Sequence, residues 1–295
     1  METENSNISQ LEESENPYIE CKDLFKIFKR SELEVVALRG LDMEVQKGEM
    51  IAIMGASGSG KSTLMNILSG LDRPSAGQVR VGKRDLLNIS DDDLVLYRRL
   101  EVGFVWQATA RNLVPYLNVI ENIEMPQAIS GESGKVRKQR AMDLLSILGM
   151  EDKAKRQIQE LSGGEQQRLA IAVGMANQPP LLLADEPTGE LDSQTASRVF
   201  TLLGEMNKIY QVTVIVVTHD TGVSQYMDRV LYIRDGRISS VNRISRRGDK
   251  TNEEEFLVVD KVGRLQIPQD YLDNLNFEGL AKINLDDNQM NIKPA

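Results

Sequence analysis

A glycine-rich stretch at residues 55–63 restricts the possible folds of this chain more than any other feature. It follows an apolar run at 51–54 and precedes a helical pattern at 64–68. Its residues are Gly55, Ala56, Ser57, Gly58, Ser59, Gly60, Lys61, Ser62 and Thr63. The pattern G-x-x-x-x-G-K-S-T between a strand and a helix is typical of a loop that binds phosphate, and a flexible Gly/Ser turn is the alternative.

The residue types in this stretch explain the predicted binding. Glycine adopts positive φ at little cost, so backbone N–H groups can surround phosphate oxygens. The helix that begins near Lys61 directs its unpaired N–H groups and its positive dipole end at the anion. Lys61 is expected to neutralise the β- and γ-phosphates of a nucleotide, and the Ser62 hydroxyl is expected to bind Mg²⁺.

Composition limits the class of protein. The 295 residues are 41% hydrophobic and 27% charged, which fits one large α/β domain with a small appendage. The net charge of −9 argues against nucleic-acid binding through a general basic surface. No apolar run reaches the roughly 18 residues of a membrane span, and the N-terminal residues do not resemble a secretory signal. The single cysteine, Cys21, excludes an internal disulfide bond.

The order of the predicted elements indicates an α/β fold. Apolar runs alternate with helical patterns after residue 180, which predicts a mostly parallel sheet with helices on its faces. The predicted helices cover residues 91–99, 119–129, 136–148, 165–176, 193–210 and 221–226. The first four form a helical subdomain at about 89–178, inserted into the core. Residues 1–16 carry five glutamates and no basic residue, which predicts a disordered acidic tail.

Two carboxylates follow the apolar run at 181–184. The carboxyl end of a buried parallel strand is where nucleotide sites place an acid near Mg²⁺, so Asp185 is expected to hold the metal through water. Glu186 is expected to polarise the attacking water as a general base. By itself this pattern fits a capped strand end equally well, and the phosphate loop elsewhere in the chain favours the nucleotide site.

A second glycine pair completes a recognisable pattern. Ser162, Gly163 and Gly164 begin a predicted helix and indicate a second anion-binding element. With the phosphate loop, they make residues 18–241 resemble ATP-binding cassette (ABC) ATPases. The resemblance implies a P-loop NTPase fold with a mostly parallel sheet, an antiparallel β subdomain and a helical subdomain. It also implies that two subunits enclose two ATP molecules with Mg²⁺, each held by one subunit's phosphate loop and by the signature residues of the other: Ser162, Gly163, Gly164 and Glu165.

The resemblance also assigns an adenine contact and a metal contact. Phe28 matches the aromatic residue that stacks on adenine, because stacking requires a π face. Core packing is the alternative for Phe28, and Tyr18 or Phe25 could take its place. Gln107 matches the glutamine that reaches Mg²⁺ and senses the partner, with an ordinary exposed loop residue as the alternative.

Two further residues are assigned in the same way. His219, the only histidine of the chain, matches the residue that contacts the γ-phosphate, so the implied catalytic set is Lys61, Glu186 and His219. A purely structural histidine is the alternative. Asp192 matches the end of the loop at the dimer interface, where Gly189 and Glu190 depart from the Ser-Ala common in the family and leave the contact of Glu190 open.

Finer details resemble the lipoprotein-release, macrolide-export and cell-division branch, of the LolD, MacB and FtsE types. The residues that carry this likeness are 48–50, 54–68, 70–72, 112–115 and 121–126, while Trp106 departs from the usual phenylalanine. This branch implies a dimer of identical or different cassettes at the cytoplasmic face of the membrane, driving a separate permease. The alternatives are an FtsE-like regulatory output and an ATP-gated DNA binder.

The C-terminal residues predict a second, smaller unit after a cassette at 17–242. Residues 243–255 are basic and then acidic, which predicts a solvated linker rather than a membrane-surface patch. Within 256–295, the run at 260–268 resembles the AbrB-type swapped hairpin, a mainly β fold that implies dimerisation or regulation. Residues 251–295 carry four bases and nine acids, so DNA binding is disfavoured.

Overall fold

The computed structural model describes residues 16–30, 33–189, 191–247, 250–277, 279–286 and 289–294. The predicted acidic tail, apart from Asn16, lies outside these residues, and so does Glu190. The strands are β1 (Ile19–Arg30), β2 (Leu33–Val45), β3 (Met50–Met54), β4 (Ala76–Val81), β5 (Arg84–Asp85), β6 (Val102–Val105), β7 (Leu181–Asp185), β8 (Thr213–Val217), β9 (Arg229–Arg234), β10 (Arg237–Arg247), β11 (Lys250–Leu257), β12 (Ala281–Asp286) and β13 (Gln289–Pro294). The α-helices are α1 (Lys61–Leu68), α2 (Asp91–Leu96), α3 (Val119–Ile129), α4 (Gly134–Leu148), α5 (Gly163–Met175), α6 (Ser193–Tyr210) and α7 (Gln269–Asn274).

A seven-stranded sheet forms the centre of the molecule, in the order β11-β10-β9-β3-β8-β7-β6. The five strands from β9 to β6 are parallel, and β10 and β11 are antiparallel. All residues of β3 and β8 are buried, because the sheet is covered on both faces. The predicted α/β fold with a mostly parallel sheet is confirmed.

The two faces of the sheet contact different layers. Ala52 and Met54 of β3 lie in the cluster that includes α5 and α6, whereas Ile51 and Ile53 lie in the cluster that includes α1. This second cluster joins the sheet to an antiparallel sheet in the order β2-β1-β4-β5. The alternation follows from the two-residue period of a strand, which directs successive side chains to opposite faces.

The helical subdomain covers the predicted region, with one interruption. Helix α3 begins at Asn118, whose side chain forms a capping box with Glu121, and α4 ends at Gly149, which has φ of 61°. Strand β6 lies inside the predicted range of 89–178 but belongs to the central sheet, where it pairs in parallel with β7. Its short apolar sequence pairs with an equally apolar neighbour, and this pairing divides the helical region into two parts.

The predicted linker at 243–255 is wrong. Its described residues, 243–247 and 250–255, lie in the strands of the hairpin β10–β11, which extends the central sheet beyond β9. The basic strand lies beside the acidic one: Arg243 is directly opposite Glu254 in the register, and the Asn242 amide donates to Glu253 at 2.7 Å. Opposite charges on neighbouring strands favour a hairpin over a solvated linker.

The remaining residues form a small unit of one short helix and one hairpin. Helix α7 is followed by β12 and β13, which pair only with each other among the described strands. Before them, Val259 and Leu265 form an isolated antiparallel bridge. No helix in the described parts of the chain is both long and apolar enough to cross a membrane.

Candidate functional site

The phosphate loop lies at the carboxyl ends of the parallel strands, in a cleft of about 460 Å³. Residues from four connections of the central sheet meet there, which is where open α/β sheets bind ligands. The predicted site residues that line this cleft are Gly55, Ser57, Gly58, Gly60, Lys61, Ser62, Thr63, Gln107, Asp185, Glu186 and His219. Residues far apart in the sequence are therefore brought together.

Gly55 and Gly60 of the loop occupy positions that leave no room for a side chain. Gly55 has φ of 154°, and a Cβ there would lie 2.2 Å from the carbonyl oxygen of Ile233. Gly60 has φ of 109° and precedes the first residue of α1. The Lys61 ammonium donates to the carbonyls of Gly55 and Ala56, at 2.7 and 2.9 Å, so it lies across the mouth of the loop. A cradle of this shape, with a helix N-terminus and a lysine, fits a phosphate chain.

Asp185 and Glu186 extend from the end of β7 into the same cleft. Burial, together with the neighbouring Glu186 carboxylate, raises the pKa of Asp185, and Lys61 partly opposes this rise. A divalent cation would favour the charged carboxylate. Asp185, Ser62 and Gln107 offer the oxygen donors that Mg²⁺ prefers, so the residues present fit that metal.

Glu186 is held in an unusual backbone conformation. Its φ is 47°, and its N–H donates to the carbonyl of Val217 at 2.8 Å. His219, largely exposed, places Nδ1 at 2.9 Å from Glu186 Oε2. Glu186 Oε2 is buried and has no hydrogen-bond partner among the described residues. Backbone strain at a residue with a buried, unbonded acceptor is typical of a functional position.

The loop that carries Gln107 is fixed by residues that the sequence analysis did not assign to the site. The Asn112 side chain accepts from the Trp106 N–H at 2.9 Å and donates to the Trp106 carbonyl at 3.0 Å. The Thr109 hydroxyl donates to the buried Gln167 side chain of α5 at 2.8 Å. The Gln107 loop is thereby joined to the helix that begins with the signature residues.

The signature residues lie at the N-terminus of α5. The Ser162 side chain accepts from the Glu165 N–H, and Glu165 Oε2 accepts from the Ser162 N–H at 2.8 Å, which forms a capping box. Lys153 pairs with Glu165, and this contact, with the Ser162 N–H, lowers the pKa of Glu165 to about 2. Gly163 and Gly164 lie in the first turn of α5. The Glu165 carboxylate already contacts Lys153 and the Ser162 N–H of its own chain.

A second cleft of about 430 Å³ surrounds this helix start. Asp192, predicted at the dimer interface, caps α6 by accepting from the N–H groups of Gln194 and Thr195, both at 3.0 Å. Arg168 and Arg198 also line the cleft and were missed by the sequence analysis, because their proximity depends on how α5 packs against α6. Two guanidinium groups beside a helix N-terminus suit an anion.

The comparisons with known proteins decide the family. A family model described as ABC transporter matches residues 38–189, which is half of the chain. An uncharacterized ABC transporter ATP-binding protein, MJ0796 of Methanocaldococcus jannaschii, is 40% identical over 230 residues, covering 77% of this chain and 97% of that one. The chain belongs to the ABC transporter family. It is an ABC-type ATPase that acts on ATP with Mg²⁺.

Other relatives agree with this assignment of the cassette. The macrolide export ATP-binding/permease protein MacB of Rhodopseudomonas palustris is 43% identical over 236 residues, covering 78% of this chain but only 36% of MacB. The solved structure titled as the dimeric structure of MJ0796 has a TM-score of 0.69 at 39% identity, covering 76% of this chain and 98% of that one. A post-hydrolysis MJ0796 dimer bound to ADP and Pi has a TM-score of 0.67 at 37% identity, covering 80% and 98%.

Phe28 of the cassette lies apart from the phosphate cleft, on the β1–β2 hairpin. Its ring is 42% exposed, whereas Tyr18 and Phe25 are more buried. The ammonium of Lys26 lies 4.8 Å from the centre of the Phe28 ring, and it also pairs with Asp72 at 2.6 Å. Among these three aromatic residues, Phe28 has the most surface available for a base.

Proposed function

We propose that this cassette hydrolyses ATP only as a head-to-tail dimer, in which each site is completed by the partner's signature residues. The supporting observation is the separation of two half-sites: residues 162–165 line a different cleft from the phosphate loop. Both clefts suit an anion, and two copies arranged head to tail would place one opposite the other. The MJ0796 structures, which are described as dimeric, belong to a relative with the same fold.

Within each site, the residues of the phosphate cleft divide the chemical work. We infer that the N–H groups of residues 55–63 and Lys61 hold the phosphates, with Ser62, Gln107 and Asp185 around the metal. When bound, Mg²⁺ would neutralise charge on the phosphate oxygens. Glu186 would accept a proton from the attacking water on its carboxylate. His219 would contact the γ-phosphate, and Phe28 would stack on adenine.

Replacing Glu186 by Gln tests this assignment. The amide cannot accept the proton, so ATP hydrolysis should fall by about 10²- to 10⁴-fold. The variant should retain unhydrolysed ATP with Mg²⁺ through gel filtration, because hydrolysis no longer opens the closed site. Glu205→Gln, an exposed change on α6, is the control and should behave like the unmodified chain. Near-normal turnover of Glu186→Gln would show that another group is the base.

We further propose that the dimer drives a separate membrane permease and is held at the cytoplasmic face of the membrane by that contact. MacB carries ATP-binding and permease parts in one protein, and this chain spans about a third of its length. The branch of LolD, MacB and FtsE types remains the proposed affiliation. Capture of solubilised membranes with tagged Glu186→Gln and ATP should recover a multispan protein. Recovery of soluble proteins alone would exclude a permease partner.

The C-terminal unit at 256–295 is proposed as a dimerisation module, as the AbrB-like motif at 260–268 suggests. In the hairpin β12–β13, the pairs Ile283–Ile292 and Leu285–Met290 lie on one face, and Lys282–Lys293 lies on the other. Ile283, Leu285 and Met290 are 59%, 78% and 60% exposed, and an isolated two-stranded hairpin is marginally stable in water. A second copy of the hairpin would cover this apolar face.

The proposed module predicts a nucleotide-independent association. Without ATP, the full chain should form dimers that Leu285→Lys weakens, because a charge would enter the apolar contact. Lys282→Gln, on the opposite face, should leave the dimers unchanged. Sedimentation of the three proteins measures this association, and a monomeric unmodified chain at high concentration would contradict the proposal.

A further inference from the structure

One turn supports the phosphate loop and also holds the C-terminal extension, residues 258–294. The turn joins β9 to β10 and runs from Arg234 to Arg237. The Gly236 N–H donates to the carbonyl of Ser59 in the phosphate loop at 3.0 Å. The Gly236 carbonyl accepts from the Arg39 N–H of β2, also at 3.0 Å. The turn is thus bonded to the phosphate loop on one side and to β2 on the other.

The turn and the phosphate loop share a tightly packed contact with β2. Gly236 has φ of 75°, and a Cβ there would lie 2.6 Å from the Ala37 carbonyl oxygen and 3.1 Å from Leu38 Cα. A Cβ at Gly60 would lie 2.8 Å from the same Ala37 oxygen. Because the contact leaves no room for adjustment, a shift of the turn should displace the phosphate loop as well.

The arginines on either side of Gly236 hold the extension. Arg234 donates to the carbonyl of Ile267 at 3.1 Å, and Arg237 pairs with Asp260 at 2.8 Å. Asp260 also accepts from the Arg264 N–H at 2.9 Å and from the Arg264 side chain at 2.8 Å. Its carboxylate therefore organises residues 260–264 into a compact turn that is attached to the cassette through Arg237.

The extension makes apolar and polar contacts with the cassette, and the Val258 side chain packs against the hydrophobic cluster that joins β1 and β2 to the central sheet. The Val258 N–H donates to the Ser239 carbonyl at 2.9 Å, and Lys261 pairs with Asp42 of β2 at 2.9 Å. Clefts of about 680 and 740 Å³ lie along the extension, the larger one between Ser57 and Tyr271. The Arg237 and Asp260 side chains are only 24% and 18% exposed, so water screens this pair less than it screens the Lys261–Asp42 pair, whose side chains are 67% and 38% exposed.

We propose that Arg237 is a positioning residue, through which the docked extension keeps the phosphate loop in its nucleotide-binding geometry. The proposal rests on the proposed function, since it assigns nucleotide binding to residues 55–63. Loss of the Arg237–Asp260 pair would remove the support that the extension gives to this turn and would loosen the bond from Gly236 to Ser59. Coupling of this kind is reciprocal: docking raises the affinity for ATP, and bound ATP strengthens docking by the same factor.

Single substitutions in the full-length chain test the pair. Arg237→Ala and Asp260→Asn should each raise the Kd and KM for ATP by about 5-fold or more, with kcat changed less than about 2-fold. The double variant should show no larger effect than either single one, because both remove the same contact. Lys282→Ala is the matched control, since Lys282 is an exposed residue of strand β12 in the same extension, and its Kd for ATP should be unchanged.

Hydrogen exchange supplies a second readout that a purely structural role would not change. With ATP and Mg²⁺, the amides of residues 258–267 should exchange more slowly in the unmodified chain, and this dependence should disappear in Arg237→Ala. The proposal is overturned if Arg237→Ala binds ATP normally, or if ATP does not alter exchange at 258–267. If the unmodified chain binds ATP without hydrolysing it, the proposed function is contradicted, but the proposed link between Arg237 and ATP binding is not.

Discussion

At the scale of single residues, the site places two neighbouring acids where water is scarce. Asp185 ends a fully apolar strand, and its pKa is raised by burial and by Glu186. The folded chain therefore binds the Asp185 proton more tightly than the unfolded chain does, and ionisation of Asp185 costs stability at neutral pH. Such a carboxylate is suited to a bound cation, because the metal relieves the repulsion that the apo protein carries.

Replacing Asp185 by Asn should raise the Tm of the ligand-free protein near pH 7 and lower the rate of ATP hydrolysis. Because the pKa of Asp185 is raised in the folded state, its contribution to stability is fully present at acid pH and is lost as the pH rises through that pKa. The asparagine of the variant does not ionise and therefore does not lose stability in this way. The variant's Tm without ligand should thus exceed that of the unmodified chain near pH 7, and the difference should vanish toward about pH 3. Hydrolysis of ATP should fall by about 100-fold or more, since metal contacts stabilise the transition state by several kcal/mol.

Thermal unfolding between about pH 3 and 7 measures the first part of this prediction, because that range includes the ordinary pKa of an aspartate. Asp152→Asn is the control, since Asp152 is exposed. Its Tm should follow that of the unmodified chain. Equal Tm values for Asp185→Asn and the unmodified chain at every pH would contradict the account of Asp185.

At the scale of secondary structure, local signals were sufficient for the long helices. The bounds predicted for α3, 119–129, and for α6, 193–210, agree with the structure, because periodicity and caps coincide there. The hairpin β10–β11 could not be predicted in this way, since only the register of the two strands places Arg243 opposite Glu254. Asn112 and Gly236 were also missed, because their roles depend on contacts between distant segments.

Helices α5 and α6 pack so closely at Gly164 that a larger residue there should destabilise the fold. A Cβ at Gly164 would lie 2.6 Å from Cγ2 of Thr195. Gly164→Ala should therefore lower the free energy of unfolding by about 1–3 kcal/mol, as overpacking generally does. Adding Thr195→Ser removes that methyl group and keeps the hydroxyl that bonds Asp192, so the double variant should recover most of the loss.

Urea denaturation of the four proteins in this cycle gives the coupling between the two residues. Thr195→Ser alone is the control for the lost methyl group. Additive effects of the two substitutions would mean that Gly164 is required for another reason, such as its backbone conformation.

At the scale of the whole molecule, the two half-sites determine how the protein works. The phosphate loop and the signature helix occupy separate clefts, although the Gln107 loop and Gln167 join their elements. In the proposed dimer, each cassette binds nucleotide at its own phosphate loop and the second cassette completes the site. The extension adds a further connection at the Arg234–Arg237 turn, on the side of the phosphate loop that contacts β2.

Mixing two inactive variants tests this requirement most directly. Lys61→Ala disables the phosphate loop, and Ser162→Arg blocks the signature end of α5. Each variant alone should hydrolyse ATP negligibly, whereas their mixed dimer contains one site with both parts intact. We predict that the mixture hydrolyses ATP well above either variant alone. Normal turnover by Ser162→Arg alone, or no gain on mixing, would contradict a site shared between two cassettes.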